Sequence, residues 1–124
     1  MFDIIVKNGE IVDGSGSPSF SGDVGIVGGE IIAIGQLSDN ASKIIDARGL
    51  IVSPGFIDVH SHSDRVLLIN PEAHSKIRQG VTTEIIGNCG NSVFPLEGKA
   101  KEVITRDFKR FNISPQWKDF AGYK

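Results

Sequence analysis

Over the first fifty residues, apolar and polar positions alternate in short runs separated by turn residues, the two-residue rhythm of β-strands. Asp3 to Lys7 predicts a strand and Asn8-Gly9 a two-residue turn whose central residues take φ > 0. Glu10 to Asp13 then predicts the returning strand of a hairpin. Gly14 to Ser21 reads as a loop. A second hairpin is predicted from Asp23 to Val27, Gly28-Gly29 and Glu30 to Ile34. Lys43 to Asp46 and Leu50 to Ser53 are two further short strands, with Arg48-Gly49 turning the chain into the second. Strands so short predict a small sandwich or open barrel.

The rhythm changes at Pro54-Gly55. Phe56 to His60 is an apolar strand with two polar residues in step. Asn70 before Pro71 is a good N-cap and first helical position, so a helix is predicted from Pro71 to Gln79, ended by Gly80. Val81 to Gly87 predicts a second strand, and Asn88 to Gly98 a Gly- and Asn-rich loop. From Lys99 to Phe111, the spacing of Ala100, Val103, Ile104, Phe108 and Phe111 puts them on one helical face. Ser114-Pro115 resembles the start of one more helix. Strand, helix, strand, helix predicts parallel βα units, with strands 56–60 and 82–87 as neighbours. The domain boundary is expected near Ser53, between a lobe of residues 1–53 and an α/β segment of residues 54–124.

Composition narrows the partners. Thirteen Lys and Arg against 15 Asp and Glu give a net charge of −2, with no basic block, which argues against nucleic acid. Hydrophobic residues at 40% and charged residues at 23% support a packed core. The single cysteine, Cys89, excludes an internal disulfide and fits a reducing compartment. The first residues are charged too soon for a signal peptide, and no apolar run nears the ~18 residues of a membrane span. A soluble, cytoplasmic chain is expected. Its 124 residues are about half of the ~250 that close a (β/α)₈ barrel.

The sharpest chemical feature is His60-Ser61-His62. Residues two apart on a strand share a face, so Asp58, His60 and His62 are expected along one side. Two imidazoles there can bind one metal ion, and active sites of parallel barrels lie at that strand end. Cys89, just past the second strand, has two readings. Its thiolate could join the same metal, with Gly87 and Gly90 letting the backbone bend close; otherwise it is a small packed hydrophobe. Asp64 reads as a solvated loop acid rather than a partner orienting a ligand. His74 reads as a surface histidine, Asn88 and Asn91 as turn residues. Trp117, Phe120 and Tyr123 read as core.

Ser53-Pro54-Gly55-Phe56-Ile57-Asp58-Val59-His60-Ser61-His62 resembles the first-strand signature of the amidohydrolase superfamily. Gln79-Gly80-Val81-Thr82-Thr83-Glu84 and Gly87-Asn88-Cys89-Gly90 are similar to the D-aminoacylase branch, the N-acyl-D-amino-acid deacylases, and the likeness runs over nearly the whole chain. The fold it implies is α/β: a small N-terminal β-sandwich lobe plus the first two βα units of an incomplete TIM-type barrel. It implies His60 and His62 as ligands of one metal position and Cys89 as a ligand of the other, able to bridge both. The metal it implies is zinc, one or two ions in the complete enzyme, and the substrate a small N-acyl amino acid. Two further histidines, the catalytic aspartate and the residues that hold the substrate carboxylate come from later strands in the family. No catalytic base is therefore expected within these residues. The resemblance reads the chain as an N-terminal fragment of a metal-dependent amide hydrolase.

Two other readings compete. One is a different amidohydrolase, such as a cyclic amidase or dipeptidase; Cys89 speaks against it, because those relatives use a lysine-derived bridging ligand. The other is a non-catalytic remnant or interaction module. Two βα units leave a strand edge open, so self-association or pairing with a complementary chain is expected.

Overall fold

The computed structural model describes residues 1–38 and 40–123. The chain divides into two compact units, Met1–Pro54 and Gly55–Lys124.

The first unit is one mixed five-stranded sheet. Its strands are β1 (Phe2–Ile11), β2 (Phe20–Val27), β3 (Glu30–Gly35), β4 (Ala41–Asp46) and β5 (Ile51–Val52). The order is β3-β2-β1-β4, and β5 pairs with the far end of β1. β1 is antiparallel to β2, and β2 to β3; β4 and β5 run parallel to β1. The Gly28-Gly29 hairpin forms as predicted, its two glycines at φ 60° and 85°. Ile5, Ile11, Val24 and Ala47 are buried in this unit.

The first predicted hairpin does not form. Residues 2–11 make one strand, and Glu10 and Ile11 pair with Ser21 and Phe20 of β2. Asn8-Gly9 is a bulge: between the pairs Val6–Val24 and Gly9–Gly22, β1 advances three residues and β2 two. Asn8 has the left-handed φ of 60° that a turn would need, but neighbours on both sides hold it in the sheet. Its N–H donates to Asp23 Oδ1 (2.9 Å) and its side-chain amide to Asp46 Oδ1 (3.1 Å).

Asp23 is 3% exposed and also accepts the Leu37 N–H at 3.0 Å, with the Lys7 ammonium 3.8 Å away. Burial opposes its ionisation, yet the Leu37 and Asn8 amides and Lys7 outweigh it and hold the carboxyl below the ordinary carboxylate range. A carboxyl whose pKa is lowered by folding stabilises the native state above its unfolded pKa, and that contribution fades as pH falls through the lower folded value. Urea melts of wild type at pH 7 and below pH 3 should therefore differ more than those of Asp23→Asn. Equal pH dependence in the two proteins would remove Asp23 from the acid response.

The second unit holds β6 (Phe56–Asp58), α1 (Ser63–Val66), α2 (His74–Ile77), β7 (Val81–Glu84), α3 (Gly98–Lys109) and α4 (Phe120–Tyr123). β6 and β7 are parallel neighbours, with Ile57 opposite Thr83 and Asp58 opposite Glu84. Gly55 permits this approach: a Cβ there would lie 2.0 Å from Thr82 Oγ1. Val93, Leu96, Ile104 and Phe108 form the buried cluster, with Trp117 and Tyr123 packed on it as expected of core residues. The Trp117 indole N–H donates to the Val93 carbonyl (2.9 Å). Phe120 is exposed, touching the cluster through its ring contact with Phe94.

Several boundaries shift. Both strands are shorter than predicted, so His60 lies beyond β6. The helix predicted from Pro71 to Gln79 shrinks to His74–Ile77, because Ala73 adopts a left-handed φ of 48° and interrupts it; no side chain caps it. α1 was not predicted. On α3, Ile104 and Phe108 are buried while Val103 is exposed, and the exposed Phe111 lies beyond the helix, so its apolar face is narrower than the sequence suggests. The helix expected at Ser114-Pro115 forms later, as α4.

Candidate functional site

His60 and His62 stand on the turn between β6 and α1. They converge through that turn rather than by strand alternation, since β6 ends at Asp58. Their rings meet edge to face with centroids 5.5 Å apart. Cys89 comes from the turn after β7, and its Sγ lies 3.3 Å from His60 Nε2. One ligand atom from each of His60, His62 and Cys89 falls within 4.8 Å of the other two, and all three residues are exposed. Cys89 is exposed rather than packed among apolar side chains.

The local backbone explains the convergence. The β6–β7 pairing continues past the strands, with Ile85 N–H donating to the Asp58 carbonyl (2.8 Å) and Ser61 N–H to the Ile85 carbonyl (3.0 Å). The Asn88 side-chain amide donates to the carbonyls of Ile85 (2.8 Å) and Ser61 (3.2 Å), tying the cysteine turn to the histidine turn. Cys89 itself has φ 56°, between Gly87 at 79° and Gly90 at 70°. A left-handed non-glycine residue costs energy that its surroundings must offset, and such strain concentrates at functional sites.

Asp58, expected beside the histidines, points elsewhere. Its Oδ1 accepts the His60 N–H (3.1 Å), and its Oδ2 meets the Lys76 ammonium at 2.5 Å. The hydrogen bond from Lys76, and then that from His60, hold its carboxyl below the usual range. Lys76 also reaches Glu84 Oε1 at 2.9 Å, and these two carboxylates keep the ammonium protonated to higher pH than usual. Glu84 accepts the hydroxyls of Ser61 (3.0 Å) and Ser63 (2.9 Å). Burial pushes its pKa up, but Lys76 and the two serines prevail and lower it. The sequence reading missed this group, whose members are scattered between positions 58 and 84.

Asp64 is not a solvated acid. It is 1% exposed, and neither carboxylate oxygen has a hydrogen-bond partner among the described residues. Burial raises its pKa. α1 turns it inward, where the Tyr123 hydroxyl donates to its backbone carbonyl at 2.6 Å. His74 is a surface residue, as expected: its side chain is 54% exposed and meets Glu72 at 2.7 Å, outside the cluster. A cleft of about 280 Å³ opens beside His62, with Val66, Ile69, Phe108 and Phe111 as its apolar wall and Arg65 bridged to Asp107 (3.1 Å) along it.

Residues 43–119 match the model of the amidohydrolase family. The D-aminoacylase of Alcaligenes xylosoxydans xylosoxydans is 48% identical over 96 residues, which cover 77% of this chain and 20% of that protein. The N-acyl-D-glutamate deacylase of the same organism is 45% identical over 98% of this chain and 25% of its own length. Among solved structures, an N-acyl-D-glutamate deacylase from Bordetella bronchiseptica superposes with a TM-score of 0.82 at 36% identity. That match covers 98% of this chain and 26% of the other, which was complexed with zinc and a phosphonate mimic of the tetrahedral intermediate. The chain spans a quarter or less of the length of these curated relatives.

Proposed function

The chain belongs to the amidohydrolase family, and from that premise we propose that it supplies the first metal-binding strand ends of a zinc-dependent hydrolase of N-acyl-D-amino acids. The observation that carries this reading is the meeting of two imidazoles and one thiol within 4.8 Å. Two nitrogen donors and one sulfur donor suit zinc, which takes histidine and cysteine ligands and in catalytic sites keeps one position open. The exposure of all three residues leaves room for further ligands and for substrate.

When bound, zinc supplies Lewis acidity, which polarises a carbonyl and eases the deprotonation of water. His60 and His62 would hold it through ring nitrogens and Cys89 through its sulfur. Asn88 and Ser61 keep the two turns in register. The cleft beside His62 offers an apolar wall to a small acyl substrate. Neither nearby aspartate is suited to be the base, since Asp58 is engaged by Lys76 and Asp64 is buried. The general base and the remaining ligands belong to other segments of the complete enzyme.

In this reading the sheet of the first unit is one layer of a small β-sandwich, supported by its exposed apolar side chains Ile31, Ile34 and Ile44. The parallel pair β6–β7 is the start of a (β/α)₈ barrel, supported by the helices between the two strands. The boundary of the two lies at residues 53–54. The test is hydrolysis by the full-length protein. Zinc-replete protein should release free D-amino acids from N-acetyl-D-amino acids, should leave the L-enantiomers intact, and should lose turnover on chelation. Turnover confined to cyclic amides or dipeptides would replace the substrate class.

A further inference from the structure

We propose that Lys76 is the positioning residue of the metal-binding turn, its ammonium gathering Asp58 and Glu84 so that the two carboxylates fix the His60–His62 segment from both sides. The inference rests on the reading of His60, His62 and Cys89 as ligands.

The geometry runs outward from one nitrogen. Lys76 Nζ lies 2.5 Å from Asp58 Oδ2, 2.9 Å from Glu84 Oε1 and 3.3 Å from Ser61 Oγ. Asp58 uses its other oxygen to accept the N–H of His60. Glu84 uses Oε1 to accept the hydroxyls of Ser61 and Ser63, the residues on either side of His62. Ser61 is 4% exposed, and its hydroxyl also lies 2.7 Å from Ser63 Oγ. The backbone that carries both imidazoles is thus held at residues 60, 61 and 63 by two acids that share one cation.

Without that cation, the acids at the ends of β6 and β7 would face each other across a partly buried gap. Like charges so placed repel. Their side chains are 29% and 13% exposed, so solvent screens them less than it would a surface pair. The turn would relax to separate them, and the histidines would move with it. Partners behind metal ligands typically change metal affinity by 10- to 100-fold when removed. Lys76 is 16 residues beyond His60 in sequence, on a different element, and touches none of the three proposed ligands in any hydrogen bond or ion pair described above.

The experiment measures zinc affinity by chelator competition in the full-length protein, at a temperature where circular dichroism shows every variant folded. Lys76→Met should bind zinc about 10- to 100-fold more weakly than wild type, and the ¹⁵N ring resonances of zinc-bound His60 and His62 should shift or broaden. Lys76→Arg, which keeps the charge between the acids, should stay within about threefold of wild type. If Lys76→Met does not fold, Lys76→Gln, which keeps a donor to one acid, is read against the same limits. Wild-type affinity in the neutral variant, or a loss in Lys76→Arg as large as in Lys76→Met, overturns the role of Lys76 alone. A wild-type protein whose zinc binding is unaffected by removing His60 and His62 overturns the ligand reading and this inference with it.

Discussion

Replacing His60 and His62 together by alanine is expected to leave the full-length protein without tightly held zinc and to slow amide hydrolysis by about 10³-fold or more. The size follows from what a metal contributes: several kcal/mol of charge stabilisation in the transition state, at about 1.4 kcal/mol per factor of ten in rate. Two of the three donors in the cluster would be gone, and a lone exposed thiol is a poor site. The fold should tolerate the change, because both rings are exposed and contribute little packing. His74→Ala is the matched control; it removes an imidazole that is also exposed and pairs with Glu72. Metal analysis by mass spectrometry with a parallel thermal melt decides the point. Equal zinc in wild type and the double variant would take both histidines out of the site.

Cys89→Ala is expected to lower zinc affinity by at least 10-fold and to remove most activity while leaving the melting temperature nearly unchanged. Cys89 is solvent-exposed, so loss of its sulfur opens no cavity, and substitutions at such positions usually stay within about 0.5 kcal/mol. The two effects therefore separate cleanly. A thiolate held by metal is also shielded, so iodoacetamide should modify wild-type protein more slowly with zinc than after chelation. A fall in stability with activity retained, and alkylation indifferent to zinc, would make Cys89 a structural residue only.

The site was more legible in the sequence than its support. The meeting of His60, His62 and Cys89 was readable because short ligand spacing, a preceding apolar strand and flanking glycines are local signals. The β6–β7 pairing was readable from the βα rhythm. Asn8-Gly9 was misread because a turn dipeptide and a bulge demand the same left-handed φ. Which one forms depends on Asp23 and Asp46, partners 15 and 38 residues away. The helix at Pro71 was overextended because Asn70-Pro71 opens only a turn and the helix starts after Ala73, and alanine carries no signal for the left-handed conformation it adopts there. Asp64 was placed in solvent because nothing in its neighbours announces that α1 turns it inward. Lys76, Asp58 and Glu84 each look like ordinary surface charges; only the pairing of β6 with β7 brings them to one nitrogen.

That pairing also shapes how such a site can change over evolutionary time. His60 and Cys89 meet although 29 positions separate them, because two side-by-side strands running the same way release their loops at the same end. Each strand end is a socket that can be refilled on its own. If the three residues hold metal as proposed, a mutation at position 89 would exchange a sulfur donor for an oxygen or nitrogen donor while the contacts of Asp58, Glu84 and Lys76 around the histidine turn stay in place. Metal preference would then drift by single substitutions at one loop, while the neighbouring loop kept its own donors in place.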